Sequence, residues 1–222
     1  MILQEDEKVP LWVQKISTKY ESQQESIITN EKTSNNEEVI CCYGERIKVE
    51  EWDNSDANYR STNGWKGFDL MHDTNSPVRI IDYYVKYGNG GDNKSGDDAT
   101  TNTTAGGIGT TLTGIVYFSS RAESHKGYCH GGSMTSVMDD VIGWTAFMVT
   151  GKCIPWSGFT VQINTSLCKP IPVNSWLLVT GKIVSVEKKR KVTIEAQITN
   201  PDDNNIINAK GNGLVILNKE TL

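Results

Sequence analysis

The stretch "GYCHGGSMTSVMDDVIGW", Gly127 to Trp144, decides how this chain is read. From Gly132 onward its apolar residues recur with a helical period: Met134, Val137, Met138, Val141, Ile142 and Thr145 form a stripe one helix face wide. The spacing predicts a helix to about Thr150, stopped by Gly151. Two features are unusual for a helix that only fills a core. Its start is His130-Gly131-Gly132, and first-turn N–H groups have no intrahelical partner and carry the positive end of the helix dipole. A glycine turn there lets a ligand reach the backbone, which can donate to a carbonyl oxygen that becomes an oxyanion. Opposite the stripe, Ser136, Asp139, Asp140 and Gly143 share a surface. A carboxylate on that surface has a raised pKa if a second layer covers it. An ordinary solvated face is a reasonable reading for Asp140.

The flanks read as strands. "VRIIDYYVKY" from Val78 and "TLTGIVYFS" from Thr111 are rich in β-branched and aromatic residues. Between them "GNGGDNKSGDDATTNTTAGG", residues 88–107, is a polar connection with little to bury; its resemblance to a phosphate loop fails because Asn93 stands where a glycine must precede the lysine. After the helix, "FTVQINTSLCKP" alternates, with Phe159, Val161, Ile163 and Leu167 on one side and Thr160, Gln162, Asn164, Ser166 and Cys168 on the other. "WLLVTGKIVSV" and "KVTIEAQIT" flank "EKKR" as a hairpin, and "NPDDNN" turns into "IINAKGNGLVIL". Two strands, one long helix and four strands in hairpin succession predict an α+β fold, an antiparallel sheet with the helix on one face. Residues 1–64 read as a polar, partly ordered N-terminal extension with a short amphipathic helix at Pro10 to Ile16, and residues 65–222 as the folded domain.

Composition narrows the function. A chain of 222 residues, 37% hydrophobic and 22% charged, is long enough for one sizeable core. Its net charge of −5 gives no broad footprint for nucleic acid. No apolar run approaches the roughly 18 residues of a transmembrane segment. The acidic opening "MILQEDEKVPLWVQK" lacks the layout of a signal or transit peptide, which predicts a cytoplasmic protein and silent N-x-S/T sequons at Asn93, Asn102 and Asn164. Cys41, Cys42, Cys129, Cys153 and Cys168 are odd in number and show no C-x-x-C spacing, so reduced thiols are expected and neither a disulfide framework nor a metal site.

With these residues in view, the chain resembles the hotdog-fold acyl-CoA thioesterases, most closely the PaaI-type branch that includes the THEM thioesterases. The resemblance runs from about Val78 to Leu217 and rests on a joint pattern: His-Gly-Gly, an aspartate nine residues after the histidine, a glycine four further on, and "KPIP" after the next strand. It implies a long central helix wrapped by a curved antiparallel β-sheet, and a homodimer or dimer of dimers with active sites between protomers. It also implies that Asp139 is general base or nucleophile in thioester hydrolysis, that Thr160 of the partner protomer holds the attacking water, and that the Gly132 N–H binds the thioester oxygen while His130 braces the loop. Gly131, Asn164, Ser166, Cys168 and Lys169 are then substrate-binding, and Lys189 and Arg190 of the "EKKRK" turn meet the nucleotide end of coenzyme A. Coenzyme A enters as part of the substrate, and no further cofactor is expected. The sequence departs from the family at Ser166 and Cys168, where an asparagine and a lysine are usual, and at Asp140, where a small apolar residue is common.

The chemistry is coherent, since a carboxylate activates water and a backbone donor offsets charge on the thioester oxygen. The function implied is hydrolysis of fatty acyl-CoA to free fatty acid and coenzyme A, within fatty acid metabolism. The alternative is a non-catalytic acyl-CoA-binding or regulatory hotdog protein, which gains nothing from keeping Asp139 and Thr160. A hotdog dehydratase wants a histidine paired with an aspartate, and neither His72 nor His125 shows that setting in the sequence.

Overall fold

A computed structural model describes residues 9–16, 44–47, 49, 61–67, 69–88 and 106–219. Most of the N-terminal extension and residues 89–105 of the polar connection lie outside them. The strands are β1 (Glu45–Arg46), β2 (Val78–Lys86), β3 (Thr111–Phe118), β4 (Glu123–His125), β5 (Tyr128–Cys129), β6 (Gly158–Leu167), β7 (Ser175–Glu187), β8 (Lys191–Asn200) and β9 (Ile206–Leu217), with the helix α1 (Gly131–Ala146) between β5 and β6. Seven strands form one antiparallel sheet in the order β1-β2-β3-β7-β8-β9-β6, and β4 and β5 form a small separate ribbon. The helix lies against β2, β3, β6, β7, β8 and β9. This is the hotdog architecture, one long helix held in a sheet.

The apolar stripe behaves as its period predicts: Met134, Val137, Met138, Val141, Ile142 and Thr145 are all buried. Thr145 fits because its hydroxyl donates to the Val141 carbonyl at 2.6 Å, so no polar group is stranded. The sheet yields space for the helix at Gly181, where a Cβ would sit 2.2 Å from Thr145 Oγ1. The regular helix ends at Ala146, earlier than the sequence indicates. Beyond it Met148, Val149 and Gly151 donate to carbonyls three residues back, the tightened last turn of a helix end, before Gly151 turns away at φ +85°.

Three sequence expectations change. The four later strands are not in hairpin succession, because β6 pairs with β9 at the far edge and never with β7. The link between β6 and β7 contains Pro170 and Pro172, which cannot donate to a ladder, and it is tied instead to Asn208, whose carbonyl accepts from the N–H groups of Cys168 and Lys169. Second, β6 does not alternate throughout. Thr160 lies opposite Val215 and Gln162 opposite Leu214, so Val161 is a bulge. Ile163 and Leu167 face the helix as expected, whereas Phe159 (71% exposed) and Val161 (57%) face solvent and Thr160 turns inward. Third, the folded body reaches back before residue 65. β1 extends the sheet, Ile47 and Val49 join the core, and the helical turn 11–16 packs Val13 on the outer sheet face against Tyr84, Ile115, Tyr117, Trp176 and Leu178. That turn is the amphipathic helix read from the sequence. Among the described residues, no helix is long and apolar enough to cross a membrane, and Cys129, Cys153 and Cys168 form no disulfide.

Candidate functional site

The two glycines at the start of α1 have different reasons. His130 is the N-cap, and its Nδ1 accepts the Gly132 N–H at 2.8 Å. A Cβ on Gly132 would lie 2.8 Å from that same nitrogen, so the second glycine makes room for the cap. A Cβ on Gly131 would lie 2.6 Å from Leu167 Cδ1, so the first glycine makes room for β6. The expected oxyanion donor, the Gly132 N–H, is therefore engaged by His130, and the Gly131 N–H makes no hydrogen bond among the described residues. His130 thus caps the first turn of the helix.

Asp139 and Asp140 separate sharply. Asp139 is exposed and makes no hydrogen bond or ion pair among the described residues. Asp140, which the sequence leaves on a solvated face, is covered: its side chain is 19% exposed. The cover is the chain's own segment before β2 together with Tyr83 of β2. The Tyr83 hydroxyl donates to Asp140 Oδ2 at 2.9 Å, and His72 Nε2 lies 3.8 Å from the same oxygen, an ion-pair distance too long for a hydrogen bond. Asp69 Oδ1 holds the opposite nitrogen of that ring, Nδ1, at 3.0 Å and also accepts the backbone N–H groups of Met71 and His72.

These contacts set the charges. Burial works to raise Asp69, but the bonds from His72 and from the two backbone N–H groups outweigh it and bring the carboxyl down to about 2. Burial pushes Asp140 up to about 6; His72 and the Tyr83 hydroxyl pull the other way, while the charges of Asp69 and Asp139 add to the rise. Burial and the Asp140 carboxylate hold Tyr83 well above the ordinary phenol range. Because Asp69 is a pure acceptor when ionised, Nδ1 of His72 carries the proton toward it and Nε2 is the nitrogen turned to Asp140.

Asp69, Asp139, Asp140 and Ser136 line one cleft of about 350 Å³, walled by Trp65, Leu70, Met71 and Trp156. The indole of Trp144 links this wall to the core, packing edge-on against Trp156 and His72 at 5.2 and 6.2 Å between ring centres. Two carboxyls held apart in pKa, Asp69 at about 2 and Asp140 at about 6, under an apolar wall are an arrangement suited to acid–base chemistry on a largely apolar substrate.

Residues 126–207, from just before α1 to the start of β9, match the family model "Thioesterase superfamily". Among solved structures, the chain is similar to zebra fish thioesterase superfamily member 2, at 16% identity over 72% of this chain and 93% of that one, with a TM-score of 0.47. It is similar also to smu.793 of Streptococcus mutans bound to acetyl CoA, at 18% over 51% and 84%, TM-score 0.43. The third is the Escherichia coli PaaI protein from the phenylacetic acid degradation operon, at 14% over 49% and 72%, TM-score 0.42. No curated protein sequence matches the chain.

Within this hotdog fold the sequence-derived site residues divide. The bulge at Val161 puts Thr160 on the helix side, so that a Cβ on Gly143, one turn after Asp139, would lie 3.7 Å from its hydroxyl; the chain's own Thr160 faces its own helix, and not the polar side of the strand. Asn164 and Ser166 face the other way, into an outer-sheet groove of about 730 Å³ with Lys182, Gln197 and Lys210, so one protomer does not bring them to Asp139. Cys168 and Lys169 are exposed on the link to β7. In the turn after β7, Lys189 is exposed, but Arg190 is bound, its Nε donating to the Leu217 carbonyl at 2.8 Å.

Asp69, His72, Tyr83, Trp65 and Trp156 were not found from the sequence. The one local trace is "DLMH", in which an aspartate three residues before a histidine can accept both backbone and ring N–H groups. His72 does have the aspartate-paired setting that the sequence did not reveal.

Proposed function

We propose that this protein is an acyl-CoA thioesterase that hydrolyses fatty acyl-CoA to free fatty acid and coenzyme A, working in the cytoplasm as a homodimer. The observation that carries the reading is the carboxylate-lined cleft on a thioesterase-superfamily helix, with Asp139 open at its mouth and the Trp65–Leu70–Trp156 wall beside it. Asp139 is the carboxylate that meets the reacting carbon and its water. The Gly131 N–H, free where that of Gly132 is capped, is the oxyanion donor.

The geometry of one helix argues for two protomers. Gly131 and Asp139 are eight residues apart in sequence, about 12 Å along a helix axis at 1.5 Å per residue, too far to act on one carbonyl. A second copy with its helix antiparallel brings the donor of one chain to the carboxylate of the other. The edge strand β6, with Phe159 and Val161 exposed, offers the place to pair. Lys189, exposed at the β7–β8 turn beside Lys188, is placed to meet phosphate.

The test is a panel of acyl-CoA chain lengths on wild type and Asp139→Asn, with native mass measured alongside. Turnover that falls by about 10²-fold or more in the variant supports the reading; unchanged turnover refutes the assigned role of Asp139, and binding without turnover favours a non-catalytic acyl-CoA binder. Dehydration of hydroxyacyl thioesters is a second reading, favoured by the Asp69–His72 pair. It ranks lower because the His72 side chain is only 5% exposed, behind Asp140 and not at the cleft surface.

A further inference from the structure

We propose that Asp140, backed by His72 and Tyr83, accepts and returns the proton of hydrolysis in this cleft, and that Asp139 orients the water beside it. The inference rests on the thioesterase reading and concerns a carboxylate that the sequence left without a role.

Placement comes first. Asp140 and Asp139 line the same cleft, and Tyr83 and His72 both address Oδ2 of Asp140. Oδ1 receives no hydrogen bond from the described residues, so one oxygen is held and the other is left for a water. The support is built in layers. Asp69 fixes the His72 ring through Nδ1, and the Asp69 carboxylate is itself fixed by two backbone N–H groups. Such a chain of oriented groups is what keeps a general base in a productive position.

The charged and titratable groups facing Asp140 are His72 and Asp69 from the segment before β2, Tyr83 from β2, and Asp139 from its own helix. Burial among them brings the carboxyl to about 6, close to the ambient pH where a base takes and gives a proton most effectively.

The step balances. The water oxygen bonds to the thioester carbon while one water proton passes to Asp140 Oδ1, and the carbonyl electron pair moves onto oxygen. When the carbonyl re-forms, the C–S bond breaks with its pair on sulfur, and sulfur takes the proton from Asp140. The products are a carboxylic acid, which ionises to solvent, and the free thiol. Asp140 ends as it began.

The experiment measures kcat and KM for acetyl- and palmitoyl-coenzyme A across about pH 5 to 9 for wild type, Asp140→Asn, His72→Gln and Tyr83→Phe, with thermal melts alongside. Wild type is expected to lose kcat on an acid limb near pH 6. Asp140→Asn should lower kcat by about 10²- to 10⁴-fold, change KM little and abolish the limb. His72→Gln and Tyr83→Phe should retain the limb but move it to higher pH, since each removes a group that favours the ionised carboxylate; a merely structural role would not move it. Asp140→Asn within about threefold of wild type, or a limb that stays in place in His72→Gln and Tyr83→Phe, overturns the proposal and leaves the thioesterase reading intact. A wild type that hydrolyses no thioester overturns both.

Discussion

Replacing Asp140 by asparagine should make the protein more stable at neutral and alkaline pH, by an amount the structure sets. Burial lifts this carboxyl from 3.8 to about 6 even after the favourable contacts with His72 and Tyr83. A carboxyl raised in the folded state binds its proton more tightly there than in the unfolded chain. Its contribution is therefore fully present below the unfolded value of 3.8 and is lost as pH rises through about 6. The shift corresponds to about 3 kcal/mol, and with the side chain only 19% exposed little of this is screened by solvent. Asparagine has no charge to desolvate and its Oδ1 still accepts from Tyr83. The variant should thus match wild type near pH 4 and exceed it by about 3 kcal/mol near pH 8. For a domain of this size that is a rise in Tm of roughly 6 to 12 °C. Asp69 does not blur the result, because its depressed carboxyl loses its stabilising effect only as pH falls through about 2. Urea unfolding followed by tryptophan fluorescence at several pH values between these limits measures the difference. If the variant and wild type differ by the same amount at both ends, Asp140 is not held against its preferred charge and the reasoning fails.

Three other perturbations follow from particular contacts. His130→Ala removes the cap on Gly132 and should cost about 1 kcal/mol in urea unfolding, with His130→Asn restoring most of it. Gly114→Ala places a Cβ 2.5 Å from Tyr83 Cε1, in the ring that holds Asp140, and should cost about 1–3 kcal/mol by overpacking; a melt like that of wild type would show that the ring has room to move. Phe159→Lys with Val161→Lys puts two charges on the exposed residues of the edge strand and should give a monomer in sedimentation velocity with turnover lost. A double variant that stays dimeric would show that β6 is not the pairing edge.

Much of this protein was legible locally. The stripe from Met134 to Thr145, the glycine turn at the helix start, the strands around Val78 and Thr111 and the "EKKR" hairpin each depend on residues within a few positions of one another, so periodicity and turn chemistry reveal them. The helix carboxylates were likewise visible as a pair on one face. What the local pattern does not contain is which strand lies at the edge, or where a bulge interrupts a ladder. One extra residue at Val161 reverses the faces of Phe159 and Thr160, and only the pairing with β9 specifies it. The order of burial of Asp139 and Asp140 is the clearest case. Adjacent residues on a helix point about 100° apart, so the sequence by itself determined that one carboxylate would be turned further from solvent than the other. Tertiary structure decided which one, because the residues that cover Asp140, namely Asp69, His72 and Tyr83, come from a segment more than fifty residues away in the chain. Their position depends on how the sheet closes around the helix, and no local propensity encodes it.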